Sequence, residues 1–458
     1  MVILFDRGTV LLRKEPPGVR MDTLPGVCWD GRVQAYRAPA FRHRGIVESL
    51  GSQGVSLRDE ATSWQWTGQG LWEAVKLRPY QAAAVWAWRA AGCHGVVALP
   101  TGSGKTWVAL AAAASAGMPC LIVVPTRILL HQWRLALERV YRAEVGCWGD
   151  GQRRLEPVTV TTFESAYRHM AAWGHRFGML VVDEAHHFGG SERDLLLEMA
   201  VANVRLGLTA TPPGAGPRAD RLAELLGPQV YGCSLAELSG RYLAEFDRIT
   251  MVLELSPAER SAYEAEYGAF RAVYGPFRQA TPAAPWADFL REARRSDAGR
   301  RAVAAWRASR QLLGYTQAKD QALRWLLGEH RAQRVLIFTA NNETAYRIAR
   351  EQLVMPITCD IGRRERGDAL AAFREGRLRT LVSARVLNEG LDVPEAEVGI
   401  IVGGSQGARE YVQRLGRLLR PAPGKRAVLY ELITRATPET RQARERELSL
   451  DTLVHPVP

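Results

Sequence analysis

The sequence Leu-Pro-Thr-Gly-Ser-Gly-Lys-Thr occupies residues 99–106, directly after the apolar run Val-Val-Ala at 96–98. An apolar strand that opens into a glycine loop presents several backbone N–H groups to a phosphate. The lysine that closes such a loop neutralises phosphate charge, and the hydroxyl that follows it is a metal ligand. This stretch therefore predicts a nucleotide-binding loop within an α/β domain. Its binding residues are Thr101, Gly102, Ser103, Gly104, Lys105 and Thr106.

A second apolar run ends in two adjacent carboxylates, because residues 180–186 read Leu-Val-Val-Asp-Glu-Ala-His. Phosphoryl transfer needs a carboxylate that holds Mg²⁺ and a group that polarises the attacking water. We therefore expect Asp183 and Thr106 to ligate Mg²⁺, and Glu184 to act on the water. A solvated acidic turn is the alternative for this pair taken alone. Together the two motifs predict ATP hydrolysis with ATP and Mg²⁺ as cofactors.

Composition narrows the class of protein. With 458 residues and 47% hydrophobic side chains, the chain is long enough for two or three domain cores and too apolar for a disordered protein. A formal net charge of +12 indicates a nucleic acid partner, although solvation alone also explains a basic surface. The six cysteines form no C-x-x-C pair and do not cluster with histidines, so we expect neither a zinc site nor a disulfide framework.

The first residues bear on where the protein is located. Residues 1–7, Met-Val-Ile-Leu-Phe-Asp-Arg, contain no basic region followed by a sustained apolar stretch. No apolar run in the sequence approaches the length that crosses a membrane. We therefore expect a cytoplasmic protein with no membrane partner, associated with the nucleoid if its source is prokaryotic.

Changes in side-chain pattern predict three folded domains. Residues 1–70 alternate apolar and polar side chains, which predicts a hairpin in a small α+β domain. Residues 71–240 and 321–447 alternate short apolar runs with longer helical patterns, which predicts two tandem domains with parallel sheets. The apolar runs lie at 95–98, 120–124, 158–162, 179–182 and 205–208 in the first of these domains, and at 335–338, 380–382, 398–402 and 427–432 in the second.

The segment between the two parallel-sheet domains has a different character. Residues 241–320 favour helix, are interrupted at Gly275-Pro276 and again at 281–285, and then carry a cluster of arginines. We expect an inserted helical arm here. Residues 448–458 are expected to form a C-terminal tail.

Polar residues beside the predicted loop and strands give weaker signals. Arg78 and Gln81 precede the loop, and the Gln81 amide can pair with adenine, although an exposed glutamine at a helix start fits equally well. Thr209 and Thr211 end another strand and either sense the acidic pair or turn the chain. Four further residues follow strands, where they can hold a nucleic acid backbone, although threonine there also caps helices. These residues are Thr126, Arg127, Thr161 and Thr162.

The second parallel-sheet domain contains a cationic helical pattern. Residues 413–420 read Gln-Arg-Leu-Gly-Arg-Leu-Leu-Arg, and on a helix Gln413, Arg417 and Arg420 share one face. Such side chains can stabilise the γ-phosphate of a nucleotide held by the other domain, as arginine fingers do. A basic solvated helix is the alternative, but the phosphate loop has no other obvious cationic partner.

The order of these motifs resembles that of superfamily 2 helicases and translocases. In detail it resembles the XPB family with its shorter archaeal and bacterial members, over nearly the whole chain. The phosphate loop resembles helicase loops because it has Leu99 where the general pattern has glycine. The other matches are Leu-Pro-Gly-Val-Cys-Trp-Asp-Gly-Arg-Val-Gln-Ala-Tyr-Arg-Ala-Pro at 24–39, Val-Val-Asp-Glu-Ala-His-His at 181–187, Arg-Glu-Tyr-Val-Gln-Arg-Leu-Gly-Arg-Leu-Leu-Arg-Pro at 409–421 and Ala-Val-Leu-Tyr-Glu-Leu-Ile at 427–433.

The resemblance implies two RecA-like motor domains that close on ATP, a damage-recognition-like domain at 1–70 and a thumb-like arm at 241–320. It also implies ATP-driven 3′ to 5′ movement on single- or double-stranded DNA in nucleotide excision repair. A nuclease is a further partner that the resemblance allows. The implied catalytic residues are Lys105, Asp183, Glu184, Gln413, Arg417 and Arg420. The residues implied to couple hydrolysis to motion are His186, Thr209, Thr211, Glu389, Gly390 and Asp392.

One family motif is missing from the sequence. The XPB family carries Arg-Glu-Asp, implicated in strand separation, shortly after Thr-Ala-Thr, whereas this chain reads Pro-Gly-Ala-Gly-Pro-Arg-Ala-Asp at 213–220. We therefore expect translocation on duplex DNA that separates little of it. Two alternatives stay open: an RNA-directed helicase with the same motor, and a nucleic-acid-binding subunit that slow ATP hydrolysis switches.

Overall fold

The chain folds into two compact units, of which residues 1–238 form the first and 239–452 the second. The structure is a computed structural model, and it describes residues 1–16, 18–64, 71–242, 245–282, 284–384, 396–403 and 426–444. Within these residues, no helix combines the length and the apolar character that a membrane crossing requires.

A five-stranded sheet forms the N-terminal part of the first unit. Its strands are β1 (Val2–Asp6), β2 (Thr9–Arg13), β3 (Cys28–Asp30), β4 (Ala35–Pro39) and β5 (Arg58–Glu60). They lie in the order β3-β4-β2-β1-β5. β1 and β2 form the predicted antiparallel hairpin, whereas β5 pairs parallel to β1. Arg7 and Gly8 turn the hairpin with φ values of 48° and 84°, which suit a two-residue turn.

The core of this N-terminal sheet is shared with the domain that follows it. Helix α1 (His43–Ser52) contributes the fully buried Ile46, which belongs to one apolar cluster with Val201. At Gly8 the two domains approach closely, because a Cβ there would lie 2.4 Å from Met199 Cγ. The N-terminal sheet therefore rests directly on the next domain of the same unit.

An eight-stranded sheet fills the rest of the first unit. Its strands are β6 (His94–Ala98), β7 (Cys120–Val124), β8 (Gly146–Gly149), β9 (Gln152–Arg154), β10 (Val158–Thr162), β11 (Met179–Val182), β12 (Val204–Thr209) and β13 (Gln229–Gly232). They lie in the order β13-β6-β12-β11-β7-β10-β8-β9, parallel except that β9 is antiparallel to β8. β6, β7, β10, β11 and β12 occupy the five predicted apolar runs. Every residue of β7 and β10 is buried, as in parallel sheets covered on both faces.

Helices connect these strands. They are α2 (Pro79–Ala90), α3 (Lys105–Ala116), α4 (Arg127–Leu137), α5 (Phe163–Trp173), α6 (Asp194–Glu198), α7 (Pro217–Leu226) and α8 (Leu235–Leu238). α5 and α7 bury Phe163, Met170 and Leu225 in one cluster with the strand residues Leu180 and Val182. One core of the unit therefore lies between the sheet and these helices.

A buried arginine ties together the ends of two helices in this domain. Arg205 of β12 is only 2% exposed, and burial lowers the pKa of its guanidinium to about 10, so it stays charged at neutral pH. Carbonyl groups at helix ends have no partner within the helix. The guanidinium donates to four carbonyl groups over 2.7 to 3.2 Å: Leu197 in the last turn of α6, Leu225 in the last turn of α7, and Ala200 and Ala202 in the segment after α6.

We expect Arg205→Lys to lower the free energy of unfolding by about 2 kcal/mol, because three ammonium donors cannot satisfy four carbonyl groups. Urea unfolding followed by tryptophan fluorescence measures the change. Arg193→Lys is the matched control, since Arg193 is exposed on the same unit. An Arg205 variant whose unfolding midpoint equals that of the control would contradict this role.

The second unit is built on a six-stranded sheet. Its strands are β14 (Glu245–Leu253), β15 (Val335–Phe338), β16 (Met355–Ile357), β17 (Thr380–Ser383), β18 (Val398–Ile401) and β19 (Arg426–Thr434). They lie in the order β14-β19-β18-β15-β17-β16, all parallel. Its helices are α9 (Pro257–Ala280), α10 (Trp286–Ala293), α11 (Asp297–Gly314), α12 (Gln317–Glu329), α13 (Asn342–Gln352) and α14 (Arg363–Arg374). The predicted α/β fold, a small N-terminal domain followed by two parallel-sheet domains, is thus confirmed.

The helical arm differs from its prediction at two places. Residues 245–253 form β14 rather than helix, because pairing with β19 along the whole strand overrides local preference. α9 continues through Pro276 instead of breaking there. The flanking Tyr274 and Phe277 pack on Phe289 of α10, with ring centroids 4.8 and 5.3 Å apart, and this burial offsets the cost of about 3 kcal/mol for an interior proline.

Candidate nucleotide-binding site

The predicted phosphate loop lies between β6 and α3. Gly102 and Gly104 have φ values of 83° and 81°, a left-handed conformation that glycine adopts without steric cost. A Cβ at Gly104 would also lie 2.6 Å from Gln81 Nε2. The loop leads into the N-terminus of α3 at Lys105, where unpaired helix N–H groups attract phosphate.

Lys105 lies over this loop. Its Nζ donates to Leu99 O at 3.1 Å and to Pro100 O at 3.4 Å. Burial raises the pKa of Asp183 above its usual value, and the positive charge of Lys105 opposes this rise, so the ammonium group and the carboxylate act on each other within one site. Carbonyl groups hold an ammonium ion less strongly than phosphate oxygens do, so a bound nucleotide can recruit Lys105.

Helix α2 supports the loop from one side. Tyr80 Oη and Gln81 Nε2 both donate to Ser103 O, at 2.5 and 2.8 Å. Gln81 Oε1 accepts from Arg78 N at 2.9 Å, and the Gln81 side chain is buried. The Gln81 amide therefore holds the loop and the start of α2, and its contact with adenine stays a prediction. Sequence reasoning missed Tyr80, although its place beside Gln81 was a signal.

The first carboxylate of the acidic pair is buried. Asp183 follows β11 and is 6% exposed. Its Oδ2 accepts from Trp133 Nε1 at 2.8 Å and its Oδ1 from Glu184 N at 2.9 Å. Burial raises the pKa of this carboxyl group, whereas Lys105 and the two hydrogen bonds lower it. Sequence reasoning missed Trp133, whose spacing from Leu130 and Leu137 marks only a buried face of α4.

A chain of polar contacts joins the acidic pair to the phosphate loop. Glu184 has a φ of 51°, and its Oε2 lies 3.3 Å from His186 Nδ1. The same His186 nitrogen lies 3.1 Å from Thr209 Oγ1, which also accepts from Thr211 N at 3.1 Å. Thr209 O accepts from Leu99 N at 2.9 Å. The structure therefore places His186 and Thr209 between the two motifs, with Thr211 bonded to Thr209.

Arg218, another residue that sequence reasoning missed, holds the segment after the acidic pair. Its guanidinium donates to His186 O at 2.5 Å and to Phe188 O at 3.4 Å. A Cβ at Gly189 would lie 2.4 Å from Arg218 O, so only glycine permits this approach. Arg218 belongs to the stretch 213–220, where the family motif Arg-Glu-Asp is missing.

The donor groups of the site fit a nucleotide with Mg²⁺. Thr101 Oγ1 is buried and has no hydrogen-bond partner among the residues that the structure describes. An unsatisfied hydroxyl in a phosphate loop suits a phosphate oxygen. Thr106, half-buried in the first turn of α3, and Asp183 offer a hydroxyl and a carboxylate, the oxygen ligands that Mg²⁺ prefers.

The four predicted nucleic acid contacts differ in accessibility. Thr126 and Thr162 cap α4 and α5, each accepting from a backbone N–H group, at 3.3 and 3.2 Å. Thr161 is fully buried and donates to Trp148 O at 2.8 Å, so it presents no hydroxyl at the surface. Arg127 is exposed at the start of α4 and pairs with Asp150. Of these four, Arg127 alone combines charge with exposure.

Six predicted site residues lie outside the described part of the chain. They are Glu389, Gly390, Asp392, Gln413, Arg417 and Arg420. Their roles in coupling and catalysis stay predictions from the sequence.

Three family models match this chain. Residues 3–61, which contain the N-terminal sheet, match the Xeroderma pigmentosum group B helicase damage recognition domain. Residues 74–214, with the phosphate loop and the acidic pair, match the res subunit of type III restriction enzymes. Residues 318–422 match the helicase conserved C-terminal domain.

Curated proteins resemble the chain over most of its length. The DNA 3′-5′ translocase XPB2 of Sulfurisphaera tokodaii is 32% identical over 425 residues, which cover 92% of this chain and 96% of that protein. The chain belongs to the XPB family. This XPB-family protein is accordingly a superfamily 2 enzyme that hydrolyses ATP.

Other XPB-family relatives are longer. The putative DNA 3′-5′ helicase Rad25 of Halobacterium salinarum is 31% identical over 82% of this chain and 57% of its own length. The DNA 3′-5′ helicase XPB of Mycobacterium tuberculosis is 27% identical over 82% of this chain and 64% of its own length. The chain thus spans less than two thirds of these two relatives. The crystal structure of the Pyrococcus furiosus Hef helicase domain shares the fold, with a TM-score of 0.53, 19% identity, and coverage of 80% of this chain and 97% of that one.

We expect Trp133→Phe to lower the ATP turnover number about 10-fold while nucleotide affinity stays nearly unchanged. The substitution keeps the buried ring and removes the N–H donor of Asp183, and a hydrogen bond to a charged group contributes about 1.5 to 3 kcal/mol. Steady-state ATP turnover and equilibrium binding of a fluorescent ATP analogue measure the two quantities. Trp86→Phe is the control, because Trp86 is 72% exposed on α2. Equal turnover numbers for Trp133→Phe and Trp86→Phe would show that the hydrogen bond from Trp133 to Asp183 does not contribute to ATP turnover.

Proposed function

We propose that this XPB-family protein is an ATP-driven translocase that moves 3′ to 5′ on DNA. The observation that carries this proposal is the polar path from Glu184 through His186 and Thr209 to the start of the phosphate loop at Leu99. A site that only bound nucleotide would not need this link to the hydrolytic carboxylate. The name of the Sulfurisphaera relative, a DNA 3′-5′ translocase, supports DNA as the track and the direction of movement.

We assign the nucleotide to the loop between β6 and α3. Backbone N–H groups of 101–106 surround its phosphates, and Lys105 leaves its two carbonyl partners to neutralise β- and γ-phosphate charge. Arg78 and Gln81 hold the adenine side of this site.

Hydrolysis is assigned to the acidic pair. Thr106 and Asp183 would hold Mg²⁺, whose charge would oppose the rise that burial causes in the pKa of the Asp183 carboxyl group. Glu184 polarises the attacking water. The charge of Glu184 reaches Thr209 and Thr211 through His186, so that a change at the γ-phosphate moves the end of β12.

DNA contacts and biological role are further parts of the proposal. Arg127 at the exposed start of α4 is positioned to pair with a backbone phosphate, while Thr126 and Thr162 orient the N-termini of α4 and α5 toward the same polymer. The match of residues 3–61 to a damage recognition domain supports a role in DNA repair, of the nucleotide excision type and with a nuclease partner. Residues 213–220 contain no Arg-Glu-Asp motif, and Arg218 in this stretch donates to backbone carbonyl groups. We therefore propose that movement on duplex DNA separates little of it.

ATP turnover with no nucleic acid, single-stranded DNA, duplex DNA and matched RNA tests the motor. We expect DNA to stimulate ATP turnover. In Lys105→Ala the DNA-stimulated turnover number should fall about 100-fold or more, because the variant removes a preorganised charge at the γ-phosphate. Lys76→Ala is the matched control, since Lys76 is exposed just before α2. Stimulation by RNA alone would replace the DNA track by RNA, and no stimulation would favour a nucleotide-switched subunit.

Direction is measured on single-stranded DNA with a fluorophore at one end. A 3′ to 5′ translocase gives ATP-dependent signals at a 5′ dye that are delayed in proportion to strand length. We expect Glu184→Gln to bind ATP normally and to lose these signals, since replacing the group that polarises water lowers turnover about 100-fold. Length-dependent arrival at a 3′ dye would overturn the proposed direction.

A further inference from the structure

The helical arm of the second unit encloses a cavity of about 600 Å³. Aromatic side chains on three helices wall this cavity, and residues 340–343, before and within the first turn of α13, close one side of it. A volume of this size is typical of sites for small organic ligands. We call it the arm pocket. Its aromatic wall consists of Tyr267, Phe270, Tyr274, Trp286 and Trp306.

The aromatic wall is built by helix periodicity. On α9 the aromatic residues are spaced four, three and four apart from Tyr263 to Tyr274, which places them on one face. Tyr263 and Tyr267 stack with ring centroids 5.3 Å apart and 12° between their planes. Trp286 of α10 and Trp306 of α11 lie 4.8 Å apart. Because these tryptophans are only half-buried, their rings still offer surface to a planar ligand.

The inner end of the arm pocket has hydrogen-bonding groups without partners. Tyr263 is 4% exposed, and its Oη has no hydrogen-bond partner among the described residues. Burial raises the pKa of this phenol to about 12, so it stays a donor. Gln442 Oε1, also at the pocket, is a buried acceptor without a described partner. An unpartnered donor and an unpartnered acceptor at one aromatic pocket are the kinds of group that bind the edge of a nucleobase.

The charges around the arm pocket favour a neutral ring inside and a phosphate outside. Glu439 lines the pocket, but both its oxygens accept from Lys319 Nζ at 2.8 Å, so its charge is compensated. Arg307 is exposed at the pocket, and Arg310 makes no hydrogen bond within the described residues while its guanidinium lies 5.9 Å from the Trp306 ring centroid. Residues 257–314 contain ten arginines, no lysine and six carboxylates. Aromatic platforms beside arginines are typical of single-strand binding.

We propose that the arm pocket captures one unstacked base of single-stranded DNA, stacked on Trp306 and hydrogen-bonded to Tyr263 Oη. This inference rests on the proposed function only in taking DNA as the polymer. Arg307 and Arg310 neutralise the phosphates on either side of the captured base. Base capture uses neither the phosphate loop nor the acidic pair, which lie in the other unit.

The test compares two 12-nucleotide strands by fluorescence anisotropy with the full-length protein. One is oligothymidine, and the other has the same sugar-phosphate backbone with abasic sites throughout. We expect Tyr263→Phe to weaken oligothymidine binding about 3- to 10-fold, for one lost hydrogen bond, and to leave the abasic strand unaffected. Trp306→Leu should weaken it about 5- to 100-fold with the same selectivity, for one lost stack.

Stability measurements and a control variant separate base capture from folding. Tyr263→Phe removes a buried, unpartnered hydroxyl, so its urea unfolding midpoint should equal or exceed that of the unchanged protein. Trp325→Leu is the matched control, because Trp325 is 58% exposed on α12 and does not line the arm pocket. It should bind both strands with unchanged affinity.

Either of two results would overturn the proposal. Unchanged binding of both strands by Tyr263→Phe and Trp306→Leu would leave the pocket to a different occupant, such as a partner polypeptide. Equal weakening on both strands would show a backbone effect without base capture. DNA-stimulated ATP turnover of the unchanged protein tests the translocase proposal separately from base capture. Stimulation without selective binding of oligothymidine would contradict base capture alone, and selective binding without stimulation would contradict the translocase alone.

Discussion

A carboxylate buried at the end of a strand is the constraint on which the first unit depends. Asp183 is almost inaccessible, and a charged group in that position is costly unless hydrogen bonds and an opposite charge compensate it. The compensation comes from the indole of Trp133 on α4, the backbone N–H of Glu184 and the ammonium of Lys105 on α3. Two helices and one strand must therefore pack in a single arrangement before the site can work. The same packing places the phosphate loop beside the carboxylate.

The parallel sheet brings the phosphate loop, the end of β12 and the acidic pair into contact with one another. β6, β12 and β11 are neighbours, so the loop after β6, the threonines at the end of β12 and the acidic pair after β11 meet at one edge of the sheet. Ligands of open α/β sheets bind at this edge because the strands all end there. The bonds from Leu99 to Thr209 and from Thr209 to His186 cross the edge from strand to strand. Nucleotide chemistry and backbone position are thus connected through short contacts.

Aromatic packing holds the helical arm of the second unit together, whereas a buried carboxylate constrains the packing of the first unit. The side chains that carry α9 through Pro276 also hold α10 beside it, and Trp286 of α10 packs in turn on Trp306 of α11. A cavity with half-buried ring faces remains among these three helices. The arm therefore combines a stable hairpin of helices with a pocket that has the chemistry of a stacking site.

The sequence by itself determined the phosphate loop, the acidic pair, five of the eight strands described in the first parallel-sheet domain and four of the six described in the second, because each depends on short-range periodicity and on residue types with few other uses. It did not determine β14, because this strand forms through pairing with β19, which lies far along the chain, and local propensity does not record such pairing. Nor could it find Trp133 or Arg218, whose partners lie far along the chain or on another element. Only the tertiary structure decided these contacts, since hydrogen bonds between distant residues leave no pattern in a single sequence.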